Sequence, residues 1–301
     1  RSPSTAQQHL SAASRHDQTL YGMLALERLG IRVPAQGKLG EFGRSDWDRL
    51  KDRENVSIAL ALVEIGRPEL ADEVLRHQVR IGERREFESI ARLARSLGLP
   101  ATQLFMAYNA PRGMRSSPDL RYPTAHWRPV SGWNVDPSLA YAHALQESNF
   151  RTDAVSPANA RGLMQITPIT VRQHAGGLQM SASYVDLNDP GVNLSFGQRN
   201  LEMLRDSRTT QGRLPKIMAA YNAGLSPVAR WNAEIRDQDD PLLYMESIPY
   251  WETRSYVAIV MRNYWMYQRN EGSGSNSRLS LAQGLWPEFP VAPQSRISRN
   301  D

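Results

Sequence analysis

A chain of 301 residues, 41% hydrophobic and 22% charged, is long enough for a substantial buried core and for two domains of ordinary size. Its net charge of +5 suits an anionic partner, yet the basic residues are spread along the chain, which favours a solvated surface over a nucleic-acid patch. The absence of cysteine excludes disulfides, thiolate metal sites and cysteine nucleophiles. No apolar run approaches the roughly 20 residues that span a bilayer, so no transmembrane segment is expected. Arg1-Ser2-Pro3-Ser4 has no signal-peptide pattern, and the expectation is a soluble chain or the mature remnant of an exported one.

Residues 1–15 read as an N-terminal arm. Residues 16–110 read as short amphipathic helices parted by Gly and Pro: 19–29 ends at Gly30, 56–65 at Gly66, 69–79 follows Pro68, 84–97 stops at Gly98, and Pro100 opens the next. Ala59, Ala61, Ala71, Ala91 and Ala94 permit close contact, so the segment is expected to stack as a helical-repeat or linker-type domain. Pro111, Pro118, Pro123 and Pro129 break the helical pattern and make 111–132 a connection.

Residues 133–269 are expected to form a second, predominantly helical domain. Asp136-Pro137 offers an N-cap followed by proline at the first helical position, and Leu139, Ala142 and Leu145 supply an apolar stripe up to Glu147. Later helices are expected over 192–205, 215–222 and 249–267, with Gly224 ending the middle one. Residues 270–301 form a linker and tail, in which Leu281, Leu285, Trp286 and Phe289 could dock back on the body.

Glu147 lies near the C-terminal end of a mainly apolar helix, where burial and the helix dipole both disfavour an ionised carboxylate. A carboxyl that stays protonated near neutral pH can donate to the leaving oxygen of a glycoside. Most glycosidases also need a second carboxylate. Asp153 falls in the loop after the helix and Glu252 in the first turn of a later one, where it also suits the helix N-terminus. His143 stands one turn before Glu147 without the second ligand that a zinc site needs. The aromatics Trp251, Tyr256, Tyr264, Trp265 and Tyr267 can stack on sugars, but mostly suit a core.

Three blocks occur in order: Gln146-Glu147-Ser148-Asn149-Phe150 with Ser156-Pro157 and Gly162-Leu163-Met164-Gln165-Ile166-Thr167-Pro168; then Ala219-Ala220-Tyr221-Asn222-Ala223-Gly224; then Ile248-Pro249-Tyr250-Trp251-Glu252-Thr253-Arg254-Ser255-Tyr256-Val257. Together they resemble the signature of the soluble lytic transglycosylases, a lysozyme-like glycosidase family. That resemblance implies cleavage of the β-1,4 bond between N-acetylmuramic acid and N-acetylglucosamine, with a 1,6-anhydromuramyl product and no metal or other cofactor. It implies Glu147 as acid and then base, with the substrate's acetamido group assisting. Ser156 would hold that acetamido group, Gly162 would permit close backbone approach, Met164 and Gln165 would line the cleft with an apolar and a polar contact, and Tyr221 would place a hydroxyl near Glu147. Asn222 would fix the turn after its helix, and Glu252 would orient neighbouring groups. At Thr167, where relatives often carry methionine, the chain departs from the pattern.

The resemblance also implies a mainly α fold, a helical-repeat or linker domain followed by a lysozyme-like catalytic domain, and a periplasmic location. The partners it implies are peptidoglycan glycan strands, with the helical domain as a surface for other cell-wall enzymes. Two rivals share these residues: a muramidase on the same fold, which would use water and leave a reducing end, and a non-catalytic wall-binding scaffold. Nucleic-acid binding ranks last, because it gives Glu147 no part.

Overall fold

The computed structural model describes residues 3–33 and 39–290. It is 61% helical, and β structure among the described residues is limited to the isolated bridges Val155–Arg161, Arg161–Ile166 and Arg213–Glu288. The mainly α class expected from the sequence is therefore the one observed. No helix among the described residues is long and apolar enough to cross a membrane.

The first half comprises α1 (Pro3–Ala13), α2 (Leu20–Arg28), α3 (Arg44–Leu50), α4 (Glu54–Glu64), α5 (Pro68–Ile81), α6 (Phe87–Ser96) and α7 (Pro100–Tyr108). Helices α3 to α7 stack as neighbours around Leu50, Val56, Leu75, Ile90, Leu93, Leu99 and Met106. Buried charge ties this stack together. Arg92 donates to both oxygens of Asp46 (2.8 and 3.0 Å) and Ser89 Oγ donates to Oδ1 at 2.8 Å. Burial pushes the Asp46 carboxyl up, but these bonds outweigh it and hold the group at about 2.

The second half comprises α8 (Pro137–Ser148), α9 (Pro168–His174), α10 (Pro190–Asp206), α11 (Leu214–Ala223), α12 (Leu225–Glu234), α13 (Pro241–Ser247), α14 (Trp251–Glu271) and α15 (Asn276–Ala282). Four of these start alike. Asp136, Thr167, Asp189 and Asp240 each cap a helix through the side chain, and each is followed by proline at the first helical position, where a missing N–H costs nothing. The 21-residue α14 lies against α8 and α11, and together they enclose the larger core.

Two segments far apart in sequence, α2 and the stretch from α15 to Phe289, clasp this core. Helix α2, which the sequence groups with the hairpins, buries Leu20, Met23 and Leu24 in it. Helix α15 packs on α2, with Leu281 fully buried, Arg278 Nε on Glu27 at 2.7 Å and Arg28 on the Ala282 carbonyl at 2.8 Å. Beyond it, Phe289 N–H donates to Gly212 O and Trp286 Nε1 to Asp239, so the tail docks along the start of α11. Of the four apolar residues expected to dock, Leu281 and Phe289 are buried and Trp286 is partly buried, while Leu285 is exposed.

Candidate active site

Helix α8 is buried along nearly its whole length, and only Gln146, Glu147 and the first proline are partly exposed. Its two ends are bolted down. Asp136 accepts from Ser138 N–H and from Tyr264 Oη of α14 (2.8 Å), while Ser148 Oγ at the other end lies 2.9 Å from the Leu163 carbonyl. Asn149 and Phe150 follow in left-handed conformations (φ 51° and 62°), each costing about 1–3 kcal/mol. Buried Phe150, 6.1 Å from Tyr141 between ring centroids, holds that turn in place. The strained turn sends the chain sharply away, and Glu147 is left half-buried at the helix end.

The Glu147 carboxyl accepts a 2.5 Å hydrogen bond at Oε1 from Tyr256 Oη of α14, and Tyr256 Oη in turn lies 2.8 Å from His143 Nδ1. His143 is one helical turn before Glu147 on the same face of α8. Burial raises the Glu147 carboxyl to about 7; the bond from Tyr256 opposes this and the negative charge of Glu252 adds to it. Burial alone pushes His143 down to about 3, so the imidazole is neutral at physiological pH. Tyr256 and Tyr221 are held well above the phenol range by burial, reinforced by the charge of Glu147. The site is thus one carboxyl poised near neutrality, backed by a neutral polar chain.

The structure places the other expected residues around this centre in unequal roles. Tyr221 donates to the Met164 carbonyl at 2.8 Å, and its ring packs on His143 with centroids 4.6 Å apart, so it supports the chain behind Glu147 instead of bonding to the carboxyl. Met164 is wholly buried, its sulfur packed over Gly197 of α10 so closely that an added Cβ there would lie 2.1 Å away. It reaches the site through its backbone alone, and does not present the expected apolar side chain.

Gly162 is also buried, with φ +72°, and a Cβ on it would meet Asn193 Nδ2 at 2.2 Å and the Leu187 carbonyl at 2.3 Å. The close approach it permits is that of α10. Gln165 turns its amide onto the Ala154 and Gly162 carbonyls (3.2 and 3.0 Å) and so fixes the loop. Ser156 Oγ accepts from Ala160 N–H at 3.1 Å and remains partly exposed. Asn222 accepts from Thr253 Oγ1 at 2.7 Å, tying the end of α11 to the start of α14.

Glu252 is exposed in the first turn of α14, beside Trp251, which is 74% exposed and has a free face for stacking. Asp153 is exposed in its loop. Two hollows elsewhere on the molecule, of 640 and 280 Å³, are lined by none of these residues. Two residues at the centre escaped the sequence reading: Tyr256, grouped with core aromatics, and His143, weighed only as a metal ligand. The i, i+4 spacing of His143 and Glu147 was the available signal.

Residues 129–243 match the family model described as the transglycosylase SLT domain. The likeness to the SLT family thus lies in this stretch of the chain. The soluble lytic murein transglycosylase of Escherichia coli is 33% identical over 144 residues, 47% of this chain and 22% of that protein. The solved structure of the 70 kDa soluble lytic transglycosylase Slt70 from Escherichia coli superposes with a TM-score of 0.74 at 23% identity, over 95% of this chain and 46% of that one. An inactive mutant of the lytic transglycosylase Slt from Pseudomonas aeruginosa superposes with a TM-score of 0.62 at 25% identity, over 86% and 42%. The chain thus spans less than half the length of these relatives. The likeness extends through the helical hairpins as well as the SLT domain, in keeping with the expected lysozyme-like helical organisation.

Proposed function

We propose that the protein is a peptidoglycan lytic transglycosylase that cleaves the β-1,4 bond between N-acetylmuramic acid and N-acetylglucosamine and leaves a 1,6-anhydromuramyl end. The observation that carries this reading is the state of Glu147: half-buried, raised to about 7, and bonded to a phenol instead of a cation. Near pH 7 such a group is close to half protonated, so it can give a proton to the glycosidic oxygen and then take one from the C6 hydroxyl. The substrate's own acetamido carbonyl would stabilise the developing positive charge, with Ser156 positioned to hold it.

Glu252, the other carboxylate whose charge reaches Glu147, sits exposed at a helix start, which suits it to tuning the acid and orienting groups. The names of the relatives support the murein substrate, and that substrate supports a periplasmic location. A muramidase would instead recruit Glu252 or Asp153 to activate water.

Mass spectrometry of soluble products from purified peptidoglycan distinguishes the readings. Anhydromuropeptides from the parent, and none from Glu147→Gln, are the expected result. Hydrated products, heavier by one water, would establish the muramidase; glycan binding with no product would establish the scaffold.

A further inference from the structure

Tyr256 has one hydroxyl proton and stands between two partners, Glu147 Oε1 at 2.5 Å and His143 Nδ1 at 2.8 Å. Only two proton arrangements satisfy both contacts. In one, His143 Nδ1–H donates to Tyr256 and Tyr256 donates to Glu147. In the other, Tyr256 donates to a bare Nδ1, and the short contact to Oε1 is filled by the proton of Glu147 itself, aimed into the protein.

We propose that His143 is a positioning residue for the catalytic acid: its Nδ1–H donates to Tyr256, which locks the Tyr256 hydroxyl as a donor to Glu147 Oε1 and keeps the transferable proton on Oε2. The inference rests on the reading of Glu147 as acid and base. No net charge moves along the chain. When Glu147 gives up its Oε2 proton to the leaving oxygen and later recovers one from the C6 hydroxyl, the protons on His143 and Tyr256 stay where they are.

The surroundings of the imidazole favour that tautomer. His143 is fully buried, and its Nε2 has no hydrogen-bond partner among the described residues. A buried bare nitrogen without a donor is less costly than a buried N–H without an acceptor, so the proton belongs on Nδ1, where Tyr256 receives it. Tyr221 of α11 packs on the ring from the side and Tyr256 of α14 covers Nδ1; these, with Glu147 and the more distant Glu252, are the titratable groups around the chain. None is a cation. A neutral imidazole also adds no positive charge that would pull the acid down and empty it of its proton.

The test combines a spectroscopic readout with a kinetic one. In histidine ¹⁵N-labelled protein, with the His143 signals assigned by their loss in His143→Asn, long-range ¹H–¹⁵N spectra at pH 7 are expected to show a protonated Nδ1 and a bare Nε2. A protonated Nε2, or a charged imidazolium, would overturn the proposal. On peptidoglycan, His143→Leu is expected to lower kcat on the order of tenfold with KM unchanged. His143→Asn, whose amide N–H can reach the same hydroxyl, is expected to restore most of that loss. The double variant His143→Leu/Tyr256→Phe is expected to be no slower than Tyr256→Phe alone. Losses that multiply in the double variant, or an unchanged kcat in His143→Leu, would reduce His143 to packing. If His143→Leu fails to fold, the tautomer and the rescue by His143→Asn still decide. Lack of product from the parent would refute the proposed function, and the tautomer would remain as a separate result.

Discussion

Replacing Tyr256 by Phe isolates one term in the balance that sets the Glu147 carboxyl. The hydroxyl donates at 2.5 Å to Oε1 and so favours the charged form, while burial and Glu252 favour the neutral one. A hydrogen bond to a charged group contributes about 1.5–3 kcal/mol, and one pKa unit corresponds to about 1.4 kcal/mol. Losing it should raise the acid by about one to two units. In the proposed mechanism Glu147 must be protonated for the first step, so activity should fall as pH rises through its pKa, near 7 in the parent. In Tyr256→Phe the alkaline limb of kcat/KM, measured by release of soluble products across pH 5 to 10, should move up by about one to two pH units, while the plateau falls because the proton is no longer directed. A limb that stays in place, or moves to lower pH, would refute this account of the site.

Glu147→Gln should stabilise the fold at alkaline pH. The parent carboxyl is raised from 4.5 to about 7, so the folded state loses stability as pH rises through that window, by about 3 kcal/mol at most. Thermal melts should show the variant ahead of the parent at pH 8 and level with it at pH 4; equal melting points at pH 8 would contradict the raised acid. Asp46 runs the other way. Its carboxyl is lowered from 3.8 to about 2, so it contributes about 2 kcal/mol above pH 4 that disappears as pH falls towards 2, and Asp46→Asn should lose that acid dependence in urea titrations. Leu281→Ala empties a fully buried position where α15 meets α2 and should cost about 2–5 kcal/mol by urea denaturation; a cost near zero would mean that the tail does not dock.

Much of the fold could be read from local signals. Helices α5, α7 and α8 announce themselves by proline at the first turn, and α2 and α4 by the glycine that follows. The helices that escaped notice are mostly of seven residues: α3, α9, α13 and α15. Two turns are too few for an apolar period to stand out, and such segments are helical because their neighbours bury them. The position of α2 was equally hidden, since its apolar face fits a hairpin partner as well as it fits α15 from the far end of the chain.

At the site, Glu147 was legible because a single helix carries both the residue and the causes of its burial. Tyr256 was not, because 109 residues separate it from Glu147 and only the packing of α14 on α8 brings them together. Met164 shows the reverse. It belongs to a recognisable motif, yet Gly197 opens a slot in α10 that takes its side chain into the core, a pairing that no local pattern in either segment encodes.

The most direct test of the central claim is the titration of the Glu147 carboxyl itself. Glutamate δ-¹³C chemical shifts followed from pH 3 to 9, with the Glu147 signal identified by its loss in Glu147→Gln, should give a midpoint near 7. A midpoint near the ordinary glutamate value of about 4.3 would contradict the account, because a carboxyl already ionised at neutral pH has no proton to give.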